Sequence, residues 1–213
     1  MLPARKYYKY IGLFLALVAP FALAAVRPGG FTVGGSVVKE CLYWSLFAIF
    51  LLVVKYGERE AIAPLTNNGG LLRTALLSVA VTFSLLLAAI AYRLGYHMVV
   101  RSLPPHEAVM DKLVNYPVWL KAMMVIRAGV IEETFFRAYA MSRLQQLTGN
   151  KYIAFIVPLV LFSAGHYSYG TVNHILGALV LGIVLATFYS RTRNLLANII
   201  GHTLFDALGL VAR

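Results

Sequence analysis

Apolar segments in the second half of the chain contain three pairs of residues in which the two members are four positions apart and at least one member is ionisable. They are Glu133 with Arg137, Phe162 with His166, and His202 with Asp206. A spacing of four places both members of a pair on one face of a helix. Ionisable groups in such apolar segments are costly, and they normally face a bundle interior, a partner or water. The pairs therefore predict a shared polar site between three helices.

Glu132 adds a second carboxylate, about 100° around the helix from Glu133, so both can face a bundle interior. Two carboxylates beside Arg137 suit a division into one general base and one supporting charge. Histidines on other helices can position a water, donate to an oxyanion or carry a proton. Glu133 with Arg137 alone would indicate a structural ion pair, and each histidine alone a cap or a packing contact. Their joint occurrence favours a site, because each buried polar group needs a partner.

Composition identifies the setting of these residues. The chain has 213 residues, of which 60% are hydrophobic and 13% charged, and its mean hydropathy is +0.75. A soluble domain is about a quarter charged, so the chain is predicted to be a single integral membrane domain. Its net charge of +11 comes from basic residues scattered at segment ends, which indicates membrane topology and anionic lipid and not nucleic acid. Cys41 is the sole cysteine, which excludes an intrachain disulfide or a thiolate metal cluster.

The hydropathy pattern predicts an all-α, polytopic bundle of about seven spans, with eight as the alternative if one run divides. The runs extend over about 11–26, 37–54, 71–92, 118–147, 152–165, 174–189 and 195–211. Residues 1–117 would hold the N-terminal helices and an interfacial connector over 93–117. Residues 118–211 would form a catalytic core of the last four helices. The first run, with Ala22-Leu-Ala24, also permits a cleaved signal peptide, but the later runs favour a retained helix.

The three motifs together resemble those of a known family. Glu132-Glu133-Thr-Phe-Phe-Arg137 is similar to the EExxxR motif, Phe162-Ser-Ala-Gly-His166 to FxxxH, and His202-Thr-Leu-Phe-Asp206 to HxxxN/D. These are the motifs of the CPBP (Abi/CAAX prenyl endopeptidase) intramembrane proteases, and they occur here in the family's order. The resemblance extends over about residues 118–211, and the first hundred residues carry none of it.

The resemblance implies a glutamate-dependent intramembrane endopeptidase. It implies that Glu132 and His166 activate water, that His202 and Asp206 form the oxyanion site, and that Glu133, Arg137 and Phe162 support them. Asp206 departs from the Asn of the prenyl-peptidase branch: an ionised Asp cannot donate to an oxyanion, so it must be protonated or orient His202. This departure favours a bacterial branch over a CAAX-processing enzyme. We expect no cofactor; zinc held by Glu132, His166 and His202 is the alternative.

The expected partners are the lipid bilayer and a membrane-associated protein or peptide substrate. That substrate is a prenylated C-terminus, a sorting signal, a bacteriocin precursor or an anti-sigma factor, and the sequence does not choose among them. Two other classes of function stay open. One is a non-enzymatic immunity or scaffold protein that keeps the polar residues as a packing network. The other is a proton-coupled transporter using both glutamates as a relay; no inverted repeat is visible to support it.

Basic residues near the run ends predict a cytoplasmic N-terminus in a bacterial or archaeal cytoplasmic membrane. With seven spans, most basic clusters fall on the side of Arg5, Lys6 and Lys9, as the positive-inside bias requires. The C-terminus is then outside. A reporter that is active only in the cytoplasm, fused after Arg213, should be inactive; an active reporter would contradict this orientation.

Overall fold

The predicted all-α bundle is confirmed in a computed structural model, which describes residues 3–26, 28–29, 31–62, 70–100, 115–169 and 171–211. Over these residues the chain forms seven helical segments and no strand, one segment for each predicted apolar run. Their bounds are α1, Pro3–Leu17 and Ala19–Ala25; α2, Val33–Leu52 and Val53–Glu58; α3, Gly70–Val100; α4, Val118–Arg127, Ala128–Ala140 and Met141–Thr148; α5, Lys151–Gly165 with the turn His166–Tyr169; α6, Val172–Thr192; and α7, Leu195–Val211.

The connector predicted over 93–117 differs from the structure in its first part. Helix α3 continues through Arg93 to Val100, because Leu94, Met98 and Val99 extend its apolar surface beyond the predicted end at Tyr92. Residues 101–114 of that connector lie outside the described residues.

Helix α4 lies at the centre of the bundle and packs against α1, α2, α5, α6 and α7. Its apolar side chains Ile131, Phe135 and Tyr139 are buried in one core with residues of α1, α2, α5 and α6. Phe50 of α2 stands edge-on to the rings of both Phe135 and Tyr139, at centroid distances of 4.8 Å. Such aromatic contacts bury a large apolar area and prefer the edge-to-face arrangement, so they help to set the orientation of α2 against α4.

Helix α3 exposes apolar side chains where a helix of a soluble protein would expose polar ones. Its exposed face is an apolar stripe at helical spacing: Leu72, Leu76, Val79, Phe83, Leu87, Ile90 and Leu94. Its buried face carries Thr74 and Ser78 followed by Val81 and Leu85, and Thr74 accepts a hydrogen bond from Asn194 (2.9 Å). Large exposed apolar surfaces of this kind mark contact with lipid or a partner.

By length and composition, four described helical stretches can cross a bilayer: Arg5–Ala25, Val33–Glu58, Gly70–Val99 and Val172–Thr192. Two shorter apolar helices, Lys151–Gly165 and Leu195–Leu210, accompany them. The apolar helices identify an integral membrane protein.

The middle of α4 is π-helical from Ala128 to Ala140, a feature that hydropathy did not predict. Backbone hydrogen bonds in a π-helix join residues five apart, and such segments often occur at functional sites. The widened turn contains the entire glutamate motif. It therefore brings residues five positions apart, such as Arg127 and Glu132, onto neighbouring positions of one face.

A separate polar cluster, which we call the Glu58 cluster, ties α1 and α2 to α4. Glu58 accepts hydrogen bonds from the Tyr139 hydroxyl and from Arg143 Nε (2.7 Å), and all three side chains are buried. Lys9 of α1 pairs with Glu60 (3.0 Å) and donates to Gln146 (2.8 Å). Both oxygens of Glu58 are thus paired, as a buried carboxylate requires.

Helices α4 and α7 approach each other closely at Gly129. A Cβ placed there would overlap the Thr203 side chain and lie 2.9 Å from the Ile199 carbonyl oxygen. That carbonyl belongs to the backbone, so it cannot rotate away. Glycine at this position lets α7 approach the glutamate motif closely enough for direct hydrogen bonds.

We therefore predict that Gly129→Ala destabilises the protein by about 1–3 kcal/mol, the usual cost of overpacking. Gly95→Ala on α3 is the matched control, because a Cβ there meets nothing within 4 Å. Alanine is the better helix former by up to about 1 kcal/mol, so the control should be neutral or stabilising. Thermal unfolding in detergent measures both variants. Equal unfolding temperatures would contradict the close approach of α4 and α7.

Candidate active site

Glu133 is fully buried and is the centre of a polar network between α4 and α7. Its Oε1 lies 3.0 Å from Arg137 Nη1 and 2.9 Å from His202 Nδ1, and its Oε2 accepts a hydrogen bond from Asn198 Nδ2 (3.1 Å). The Arg137 guanidinium also stacks 4.1 Å from the centre of the Phe162 ring. Three polar groups and one aromatic face therefore hold this carboxylate and its counter-ion in place.

Glu132, its neighbour in sequence, has a different environment. Its side chain is 20% exposed, whereas that of Glu133 is 0% exposed. Glu132 lines a cavity of about 160 Å³ enclosed by α1, α2, α4 and α5. Its Oε1 lies 3.3 Å from Arg127 Nη1. The two glutamates, which spacing alone could not tell apart, are thus separated by burial: one faces a cavity and the other an internal network.

His166 lines the same cavity from the end of α5. Its Nδ1 lies 2.8 Å from the Phe162 carbonyl oxygen. A carbonyl can only accept, so Nδ1 carries the proton of the neutral ring and Nε2 is the ring's acceptor. The ring also lies 4.7 Å from Phe162 and stacks on His174 at 5.8 Å. His174, for which the sequence indicated no role, is thus a packing partner of His166.

His202 lies behind this cavity, between two carboxylates. Its Nδ1 bonds Glu133, and its Nε2 lies 3.5 Å from Asp206 Oδ2. The structure therefore brings Asp206 beside His202, as four-residue spacing predicts. The Glu133–His202 contact joins the first and third motifs, and the Arg137–Phe162 contact joins the first and second, so the three predicted motifs converge on one region.

Over residues 114–208 the chain matches the family model described as Rce1-like, type II CAAX prenyl endopeptidase Rce1-like. This segment is Rce1-like. The match confirms the resemblance to the CPBP and CAAX protease-like family, and it supports a CAAX-type intramembrane endopeptidase at family level. Comparisons with curated proteins and with solved structures gave no match.

The Rce1-like segment contains one network residue that motif reading missed. Asn198 of α7 donates from Nδ2 to Glu133 and to the Leu185 carbonyl oxygen (2.9 Å), so it joins α4, α6 and α7. Its position four residues before His202, on the same face of α7, was the available signal.

Two further residues at the cavity were also not assigned from the sequence. Arg127 is paired with Glu132 and with Glu40 of α2 (3.1 Å). Glu40 belongs to none of the three motifs and precedes the matched segment.

Asn173 lies in the first turn of α6, and its side chain accepts a hydrogen bond from the Tyr92 hydroxyl (2.5 Å). The N-cap of this helix is Thr171.

The zinc alternative requires the side chains of Glu132, His166 and His202 to converge on one metal ion. Among the described residues no group of three or more His, Cys, Asp or Glu side chains is arranged to hold a metal ion. The nitrogens of His202 face Glu133 and Asp206, and His202 does not line the cavity that Glu132 and His166 share. This donor set does not fit a zinc site in the arrangement described.

Asn198→Ala tests the network around Glu133. The change removes one hydrogen bond to a buried carboxylate and one to a backbone carbonyl, so we expect a loss of about 1–3 kcal/mol in stability. Leu204→Ala on an exposed face of α7 is the control, with an expected change within about 0.5 kcal/mol. Thermal unfolding in detergent reads both. If the Asn198 variant unfolds at the same temperature as the wild type, the hydrogen bonds of Asn198 do not stabilise the protein as expected.

Proposed function

We propose that the protein is a glutamate-dependent intramembrane endopeptidase that hydrolyses a peptide bond of a membrane-associated protein or peptide. One observation carries the proposal: Glu132 and His166, from different helices, line one cavity, while Glu133 is held apart in a buried network. The cavity volume of about 160 Å³ is well above the roughly 15 Å³ that one water requires. It can therefore admit the attacking water together with part of a peptide.

In this proposal Glu132 is the general base. Water lies between the Glu132 carboxylate and His166 Nε2; Glu132 takes one proton as the water oxygen attacks the carbonyl carbon of the substrate. The resulting carboxylic acid then gives that proton to the leaving nitrogen as the C–N bond breaks. The base is restored, and the products are a new carboxyl terminus and a new amine. Closure by lipid and protein strengthens these electrostatic interactions.

His202 is proposed as the donor to the oxyanion, with Asp206 orienting its ring. Its Nδ1 donates to the Glu133 carboxylate, so Nε2 can donate to the oxyanion only when the ring carries both protons. Nε2 lies 3.5 Å from Asp206 Oδ2 and His202 does not line the cavity, so this role requires the ring to shift towards the cavity when substrate binds. Such a donor contributes about 10²–10³-fold in rate. Glu133 and Arg137 support the site, because their network fixes where α4 and α7 meet.

The substrate class follows from the setting. A peptide reaches this cavity from a membrane-associated chain, and the matching family is that of Rce1-like type II CAAX prenyl endopeptidases, so a prenylated C-terminus is one candidate. A sorting signal, a bacteriocin precursor or an anti-sigma factor fits the same chemistry. We propose further that the protein resides in a bacterial or archaeal cytoplasmic membrane with a cytoplasmic N-terminus, on the distribution of basic residues.

Cleavage by Glu132→Gln and His166→Ala variants tests the proposal. Both changes remove a group that prepares the water, so we expect a loss of at least about 100-fold in turnover for each, as for other general acid–base groups. The readout is cleavage of a prenylated CAAX peptide, together with a comparison of membrane-protein lengths in cells with and without the protein. Near-normal turnover of both variants would end the assignment. Normal biological activity of Glu132→Gln without any cleavage would favour an immunity or scaffold protein.

We propose a metal-free reaction, on the misfit of the zinc donor set. Elemental analysis of the purified wild type and of the same two variants tests this separately. We expect less than stoichiometric zinc in all three. Stoichiometric zinc in the wild type that is lost in either variant would overturn the metal-free mechanism.

A further inference from the structure

Arg127 joins two carboxylates that come from different helices. Its Nε lies 3.1 Å from Glu40 Oε1 on α2, and its Nη1 lies 3.3 Å from Glu132 Oε1. The guanidinium also lies 4.5 Å from the centre of the Tyr43 ring, one turn along α2 from Glu40. The planar guanidinium presents its donors in a fixed arrangement, so both carboxylates are held at set directions.

These residues belong to the cavity and not to a sealed packing network. Glu40, Tyr43, Arg127 and Glu132 all line it. Glu40 is buried, and its Oε2 makes no hydrogen bond to any part of the protein that the structure describes. An unpaired buried polar atom lowers stability, and such atoms call for an explanation beyond packing.

The Glu58 cluster shows what a purely structural pair looks like in the same helix. Glu58 also pairs with an arginine of α4, but both of its oxygens have partners and it does not line the cavity that contains Glu132. Glu40 and Glu58 are 18 residues apart on α2, or roughly 27 Å at the rise of a helix. The two pairs therefore differ in location and in how completely they are satisfied.

We propose that Arg127 is the positioning residue for Glu132 and that Glu40 anchors Arg127 in this role. A glutamate side chain has several rotatable bonds, and ordering such a chain costs conformational entropy. The Glu40–Arg127 pair holds the Glu132 side chain in one conformation before substrate binds, so the Glu132 carboxylate remains at the cavity. This inference rests on the proposed role of Glu132.

One consequence concerns the organisation of the chain. Glu40 lies outside residues 114–208, the part that is Rce1-like. The last four helices then do not form a self-sufficient site, because α2 contributes the anchor for a residue that holds the base.

The test compares kcat and KM of Arg127→Gln, Arg127→Lys, Glu40→Gln and the double variant Arg127→Gln with Glu40→Gln. Glu132→Gln is measured beside them, and Glu58→Gln is the matched control for loss of a buried carboxylate on α2. The probe is a prenylated CAAX peptide or, if that peptide is not cleaved, a membrane protein that the wild type shortens in cells. Rates are normalised to the folded fraction of each purified full-length variant.

We expect Arg127→Gln to lower kcat about 100-fold, the cost of a misplaced catalytic group, with KM changed by less than about threefold. Arg127→Lys should lower kcat less than Arg127→Gln does, because lysine keeps the positive charge although it lacks the planar arrangement of donors. Glu40→Gln should lower kcat about tenfold, and the double variant should be no slower than Arg127→Gln, because the residues act in series. Glu58→Gln should lower the unfolding temperature and leave kcat within about threefold.

The outcomes separate the two proposals. If Glu132→Gln is inactive but Arg127→Gln and Glu40→Gln both keep wild-type kcat, the positioning role is wrong and the proposed function stands. A fall in kcat with additive losses in the double variant would likewise overturn the serial arrangement. If Glu132→Gln cleaves normally, or the wild type cleaves neither probe, the proposed function fails and this inference fails with it.

Discussion

The burial of the Glu133 carboxylate in the middle of the bundle is the constraint on which the other features of the site depend. A buried charge is tolerated when it is paired and hydrogen-bonded, and removing a partner from such a pair costs about 3–5 kcal/mol. Glu133 therefore needs Arg137 on its own helix and Asn198 and His202 on α7. Gly129 allows α7 to approach closely enough to supply them.

Once this network is in place, it decides what the neighbouring glutamate can do. With Glu133 directed at α7, Glu132 projects from the π-helical segment towards α1, α2 and α5, where the cavity lies. His166 reaches the same cavity, and its ring is oriented by the Phe162 carbonyl. Phe162 in turn lies against the Arg137 guanidinium, so the histidine and the buried ion pair share one support. With the proposed role of Glu132, structural and chemical functions belong to adjacent residues of one helix.

The sequence was sufficient for the number of helical segments, their approximate bounds and the convergence of three motifs, because apolar periodicity and four-residue spacing are local properties. Apolar periodicity did not predict the π-helical segment of α4, the helix that packs against five others. Glu40 and Asn198 were missed for a related reason: their significance lies in contacts between helices, 87 positions from Arg127 and 65 positions from Glu133. The contact of Asn173 with Tyr92, on another helix, is of the same kind.

The central claim is that the two adjacent glutamates divide the work, Glu133 holding the fold and Glu132 acting on water. Measuring the unfolding temperature and the cleavage rate of Glu132→Gln and Glu133→Gln side by side tests it most directly. Glu132→Gln should unfold near the wild-type temperature but lose cleavage. Glu133→Gln should unfold at a clearly lower temperature, because Arg137 is left buried without its counter-ion. The reverse pattern, a destabilised Glu132 variant beside a stable and inactive Glu133 variant, would contradict the account.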